Sequence, residues 1–499
     1  MRRRTRSSAG TTAAVTILAG LVWLAVAGPA AAPATPASPA APATPQDWPM
    51  WGGTSSRNMS SPMTGLPATW DLKTGANIKW KAELGSTSYG NPVVSDGKVF
   101  VGTNNANPRN PRITEDKGVL MCFRESDGAF LWQALTDKLE AGKEQDWPEQ
   151  GIGSSPAVVG KRLYYVTNRA ELVALDTEGF ADGVNQGPFV DEPAKGPQDA
   201  DIVWKLDMMK DLGVVPHNLA NSSPVVWEDL VFVETSNGRD DEKGTLPAPR
   251  APSFLAVNRL TGKVVWQDSS PGDRILNGQW SSPALGEANG VMQAVFPGGD
   301  GWLYAFNART GAPLWKFDLN PKDAVWPKTR NFGLATPVFH GGRVYMADGQ
   351  DPESCEGVGH MYCIDASKSG DITESGRVWH YDKIRRSIST AAIANGLLYI
   401  ADFSGFLHCL DAATGAPYWT FDMLAAVWGS PLVADGKVYL GDEDGDVIVL
   451  EAGKTMKKLA EPNLGSAVYG TAVPANGVLY LMNRSQLIAI AATPAGPGR

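Results

Sequence analysis

WSSPALGEANGVMQAVFPGGDGWLYAFNARTGAPLW, residues 280–315, contains one complete unit of a repeat. A small polar pair closed by proline opens the unit. Two short alternating runs follow, joined by the turn GGDG, and a Thr-Gly turn then leads to a tryptophan. Alternation with period two places successive side chains on opposite faces of a strand, and the glycine-rich segments between runs read as turns. Residues 388–419, ISTAAIANGLLYIADFSGFLHCLDAATGAPYW, repeat the order with Ala391 in place of the proline. The hexapeptides TGAPLW (310–315) and TGAPYW (414–419) nearly coincide.

Anchored on that proline or its equivalent, the chain shows eight units, at Pro92, Pro156, Pro224, Pro283, Pro337, Ala391, Pro431 and Ala472. The later units are about forty residues long and the earlier ones longer, which reads as one module decorated with loops at about 104–117, 177–200, 237–252 and 347–359. Each module predicts four short antiparallel strands. Eight such sheets around an axis predict an all-β, eight-bladed β-propeller, an architecture that leaves only short, protected edges. The eighth unit stops after three strands, whereas KTGANIKW at 73–80 is a turn and outer strand with no inner strands before it. The N-terminal strand is therefore expected to complete the last blade. In-blade Trp132, Trp204, Trp266, Trp315, Trp379 and Trp419, with Trp80, are expected to lie across the seams between blades, each burying area worth about 2–3 kcal/mol.

The chain has 499 residues, of which 43% are hydrophobic, with 54 Gly, 36 Pro and 17 Trp, as befits a turn-rich globular protein. Residues 1–32 combine a basic start, an apolar run and small residues, and predict a signal peptide for export; an uncleaved anchor is the other reading. No cysteine precedes Cys122, which speaks against lipid attachment at a leader cysteine. Residues 33–46 read as a Pro/Ala linker, and 47–499 as the propeller. Removing the leader's four arginines takes the formal charge from −9 to −13, a poor match to nucleic acid. Five scattered histidines offer no paired spacing for zinc. Cys122, Cys363 and Cys409 occupy the repeat position held elsewhere by Ala174, Ala256 and Ala305, so they read as small core residues; Cys355 is left over, with a bond to Cys363 as one option. GDEDGDVIVLE (441–451) lacks the spacing of an EF-hand loop and reads as a hairpin turn.

The SSP approaches, LxALD-type third strands and TGxxxW turns together resemble the pyrroloquinoline quinone (PQQ) repeat, used by eight-bladed quinoprotein dehydrogenases and by the outer-membrane assembly propeller. The resemblance covers about 47–490. DWPMWGGTSSRNMSS (47–61) also resembles exported bacterial proteins of this repeat type. For the dehydrogenase branch, the resemblance implies a Glu, an Asn and an Asp on calcium, the Asp as base, and a tryptophan stacked on the quinone. The family's Trp-Asp pair falls here on Trp280 and Ser281, so the base is missing, and no two cysteines are adjacent as in many members. Glu149, Asn218 and Trp280 stand at three of the implied positions.

In a propeller the segments entering the inner strands converge on an axial funnel. The position just before each anchor is polar in all eight units, from Asn91 and Ser155 to Thr471, and the position before that is small; both read as ring packing and backbone bonding. One step further out the residues diversify to Tyr89, Gly153, Asn221, Trp280, Leu334, Ile388, Trp428 and Tyr469. With Glu149, Gln150, His217, Asn218, Arg330, Asn331, Arg385 and Arg386 nearby, these predict an aromatic funnel with at least two guanidinium groups, suited to a flat anionic ligand; a polar funnel whose arginines pair with loop acids is the other reading. The expected function is that of an exported, periplasmic or extracellular propeller acting as a non-catalytic binding or scaffold protein of the cell envelope. Its expected partner is an envelope protein or a small anionic ligand, not nucleic acid, with membrane contact only through an uncleaved leader. The alternative is a PQQ- and calcium-dependent alcohol dehydrogenase, with PQQ and calcium as its cofactors.

Overall fold

The structure, a computed structural model, describes residues 46–350 and 357–492. The leader at 1–32, the linker up to residue 45, Cys355 and residues 493–499 lie outside the described residues.

Eight sheets succeed one another along the chain, and each begins at a predicted anchor. The first blade runs through Val93–Ser95, Lys98–Asn104, Lys117–Arg124 and Phe130–Asp137 in simple antiparallel order. Six further blades follow the same order, and two of these sheets carry a fifth, parallel strand, Ser60–Ser61 on Leu432–Ala434 and Gly370–Asp371 on Pro313–Asp318. The eighth blade is completed by the N-terminal strand Ile78–Glu83, whose Trp80 pairs with Ala489 and Ala82 with Leu487. Head and tail thus share one sheet, and the ring closes as the sequence predicts.

The seams follow one rule. The indole N–H groups of Trp80, Trp132, Trp204, Trp266, Trp379 and Trp419 donate to main-chain carbonyls of the following blade, at Glu125, Thr177, Arg259, Ala308, Ala412 and Gly453, over 2.9–3.1 Å. Trp315 reaches across through a relay: its N–H donates to Gln293 Oε1, and Gln293 Nε2 donates to the Ala366 carbonyl. A small residue lies opposite each tryptophan on the third strand, Cys122 against Trp132, Ala256 against Trp266, Cys363 against Trp379 and Cys409 against Trp419. All three described cysteines are buried and unbridged, as core residues should be.

The segment 46–61 has no counterpart in the repeat. It crosses the face of the ring opposite the funnel and bonds to every blade or to the segment leading into it. Trp48 exchanges two backbone hydrogen bonds with Val94 of the first blade, and Pro49 accepts from Val158 of the second. Ser55 and Ser56 accept from Leu285 and Phe339, Asn58 pairs with Ile393, Met59 accepts from Val433, and Gln46 accepts from Asn476. Arg57 supplies the third blade. Its guanidinium is wholly buried and donates to the carbonyls of Ser223, Pro283 and Trp51, each at 2.8 Å. Burial lowers its pKa to about 9, which leaves it charged at neutral pH. This strap seals the axis from below.

Candidate functional site: the axial funnel

The throat of the funnel is a belt of hydrogen bonds. In six of the eight blades the backbone N–H at the polar position donates to the side-chain oxygen of its counterpart in the next blade. Bonds of 2.8–3.0 Å run from Thr390 to Ser430, Ser430 to Thr471, Asn91 to Ser155, Ser155 to Ser223 and Ser223 to Ser282, and Thr471 donates to Asn91 between them. At these blades the polar residue is explained by the neighbouring backbone amide, which bonds to its side chain. Ser281, in the small ring just behind, donates its hydroxyl to the Ala335 carbonyl at 2.7 Å.

Above this belt opens a cavity of about 620 Å³. All eight residues of the diversified position line it: Tyr89, Gly153, Asn221, Trp280, Leu334, Ile388, Trp428 and Tyr469. One wall is an aromatic corner. Tyr89 and Tyr469 have ring centroids 5.1 Å apart, and Trp428 stands edge-on to Tyr469 at 5.6 Å and 77°. Phe403 supports Trp428 from behind at 5.0 Å, and Glu443 accepts the Trp428 indole N–H. On the other side Trp280 stacks on His217 at 5.3 Å and donates to the His217 carbonyl at 2.8 Å. His217 Nδ1 lies 2.6 Å from the Arg239 carbonyl, to which it donates, and Nε2 lies 3.6 Å from Asp241. The floor is Trp51, held by Arg57 through its carbonyl.

The structure brings five of the predicted site residues into this lining, namely Tyr89, Asn218, Trp280, Trp428 and Tyr469, and leaves four outside it. Glu149 is exposed, its N–H donating to Asp116 and its carbonyl accepting from Asn104. Arg330 pairs with Asp318 at 3.2 Å and donates to the Asp300 carbonyl. Asn331 is buried in a network with Asn320 and the Val358 carbonyl. Arg386 lies over the Phe403 ring at 5.2 Å. Among the described residues no Lys or Arg lines the cavity, and the one carboxylate there is that of Asp241. The expected pair of guanidinium groups is spent on loop contacts, because loop acids and a ring face lie nearer to them than the axis does.

This donor set does not fit PQQ with calcium. A tricarboxylate entering the cavity would lose its hydration with no cation to replace it. Among the described residues calcium would find one carboxylate, more than half exposed at Asp241, and neutral amides. Among the described residues no cluster of three or more His, Cys, Asp or Glu side chains is placed to hold a metal.

Sequence reasoning passed over two residues. Trp51 forms the floor although it precedes the first repeat. Glu234 lies behind the throat, wholly buried, at a register position occupied in the other blades by Gly102, Val166, Pro297, Ala347, Ala401, Gly441 and Met482. Neither of its carboxyl oxygens has a hydrogen-bond partner. Burial raises its pKa well above the ordinary carboxylate value; the nearby Ser281 backbone N–H, without the geometry of a hydrogen bond, opposes this only weakly. The break in an otherwise apolar register was the signal available.

A family-wide sequence profile described as outer membrane protein assembly factor BamB matches residues 47–179, 116–294 and 299–493. Tetrathionate hydrolase of Acidithiobacillus ferrooxidans is 24% identical over 250 residues, 46% of this chain and 45% of the hydrolase. Outer membrane protein assembly factor BamB of Shewanella oneidensis is 22% identical over 52% of this chain and 65% of its own. The chain thus spans about half to two thirds of the length of these curated relatives. Among solved structures, quinohemoprotein alcohol dehydrogenase from Comamonas testosteroni superposes with a TM-score of 0.63 at 13% identity, covering 91% of this chain and 82% of that one, a likeness of fold alone. With its blades closed head to tail and the repeat profile matched along nearly all of the described residues, the chain belongs to the family of outer membrane protein assembly factor BamB.

Proposed function

We propose that this protein is an exported, non-catalytic binding propeller of the cell envelope, whose ligand or partner engages the funnel and the loops around it. One observation carries the reading: a cavity of about 620 Å³ walled by aromatic rings and neutral amides, without the charges that quinone and calcium chemistry demand. At the position of the dehydrogenase base, Ser281 is committed to the Ala335 carbonyl, and a buried hydroxyl so engaged has no role as a base. The loop 237–252 brings Asp241 into the cavity lining, and Asp116 of loop 104–117 accepts from Glu149, next to the lining residue Gln150, where a partner would meet them. The loop 177–200 belongs elsewhere; it bonds along Gln133 at the outer edge of the first blade. The basic, apolar leader supports export to the periplasm or beyond.

Titration of the purified protein with PQQ and Ca²⁺, read by absorbance and by dye-linked alcohol oxidation, tests the reading. No turnover is expected. Sustained, quinone-dependent alcohol oxidation would replace the binding role with a dehydrogenase.

A further inference from the structure

The funnel's own chemistry defines a ligand class. Resting on the reading of the funnel as a binding site, the geometry points to a neutral carbohydrate, a mono- or disaccharide or the end of a glycan chain, as its ligand.

Unsatisfied polarity comes first. Trp51 Nε1, Gln150 Oε1, Asn221 Oδ1, Asn277 Oδ1 and His217 Nε2 are buried without a hydrogen-bond partner, and all belong to residues that line this one cavity. Leaving such atoms unpaired costs about 1–3 kcal/mol each, so a cluster of them favours any ligand that supplies the missing bonds. The required ligand is rich in hydrogen-bonding groups and carries no net charge, since among the described residues an anion would find no Lys or Arg and a cation only the rim carboxylate of Asp241. Hydroxyl groups meet the requirement best. Each can donate and accept, so a hydroxyl satisfies an amide side chain in either of its two flipped orientations.

The walls supply the second argument. A pyranose ring presents a face of C–H bonds and a rim of hydroxyls. Trp428 and Tyr469, meeting at 77°, offer two aromatic surfaces in a corner for such faces, while the amides stand across the cavity for the rim. The third argument is that the funnel is blind. Trp51 and the buried Arg57 close it below, so an extended peptide cannot thread the axis, and only a compact ligand or a chain end fits. A volume of about 620 Å³ lies inside the range of roughly 300–1,000 Å³ usual for small-molecule sites.

Isothermal titration of the full protein with cellobiose, maltose and N,N′-diacetylchitobiose, alongside glucuronate and tri-alanine, tests the assignment. Saturable binding of at least one neutral disaccharide is expected, with Kd of about 1 mM or tighter. Asn277→Ala and Trp428→Ala, each checked for an unchanged far-UV spectrum, should weaken it about tenfold. Absence of saccharide binding, tighter binding of glucuronate or tri-alanine, or saccharide binding indifferent to both variants would overturn the inference. Its failure is separable from that of the binding role: a protein inert to both sugars and PQQ loses only the carbohydrate assignment, whereas quinone turnover removes the role itself.

Discussion

At the scale of single residues, the repeated Thr-Gly turn has two reasons for its glycine. Gly311 adopts φ +71° and Gly415 φ +74°, where L side chains are strained, and a Cβ on either would approach the preceding blade's Trp266 or Trp379 ring to 2.7 Å. Gly75 has the same backbone, φ +78°, but follows the one blade without a seam tryptophan, and nothing lies within 4 Å of its Cβ position. Gly311→Ala is therefore expected to lower the thermal midpoint clearly more than Gly75→Ala, which carries only the backbone strain of about 1–2 kcal/mol; equal shifts would show that the ring contact contributes nothing. Glu234 makes a pH-dependent prediction. Its raised folded pKa means that it keeps its proton where the unfolded chain, near the ordinary Glu value of about 4.3, has released it. Its contribution is thus complete at acid pH and declines as pH rises towards the folded value. Glu234→Gln should match wild type near pH 4 and exceed it in stability at pH 8, by roughly 1–3 kcal/mol, in chemical denaturation.

Among the elements, the N-terminal strap departs most from the repeat. Its backbone bonds to seven blades at or beside their inner strands, and Arg57 reaches the segment leading into the remaining one. A buried guanidinium with no acid beside it is tolerable here because three carbonyl dipoles converge on it. Arg57→Ala would leave those carbonyls unpaired under the funnel floor and should cost about 3–5 kcal/mol, seen as a large fall in thermal midpoint. Arg57→Lys keeps the charge but lacks the planar fork that spans three acceptors, and should fall between. An unchanged midpoint in Arg57→Ala would mean that the strap is held by its backbone alone.

For the whole molecule, closure is the governing event. The eighth sheet pairs residues about four hundred positions apart, with Gln486 Nε2 donating to Glu83 Oε1 at 2.7 Å where the two strands face each other. A Glu83→Cys/Gln486→Cys disulfide would lock this sheet and raise the thermal midpoint in its oxidised form only, since closing so long a loop restrains the unfolded chain strongly. A midpoint indifferent to reductant would show that opening does not begin at this seam. The blade count, the seam tryptophans, the small residues opposite them and the closing strand were all legible in the sequence. They follow from local pairing with a fixed period, which one chain states eight times over. The ring of diversified positions was legible for the same reason, as departures at a known register. The partners of Arg330, Arg386 and Glu149, the strap beneath the axis and the solitude of Glu234 were decided by the tertiary structure. Each of these depends on which group of a neighbouring loop or blade comes within reach, Asp318 for Arg330 or the distant Ser223 carbonyl for Arg57, and no periodicity in the chain encodes that proximity.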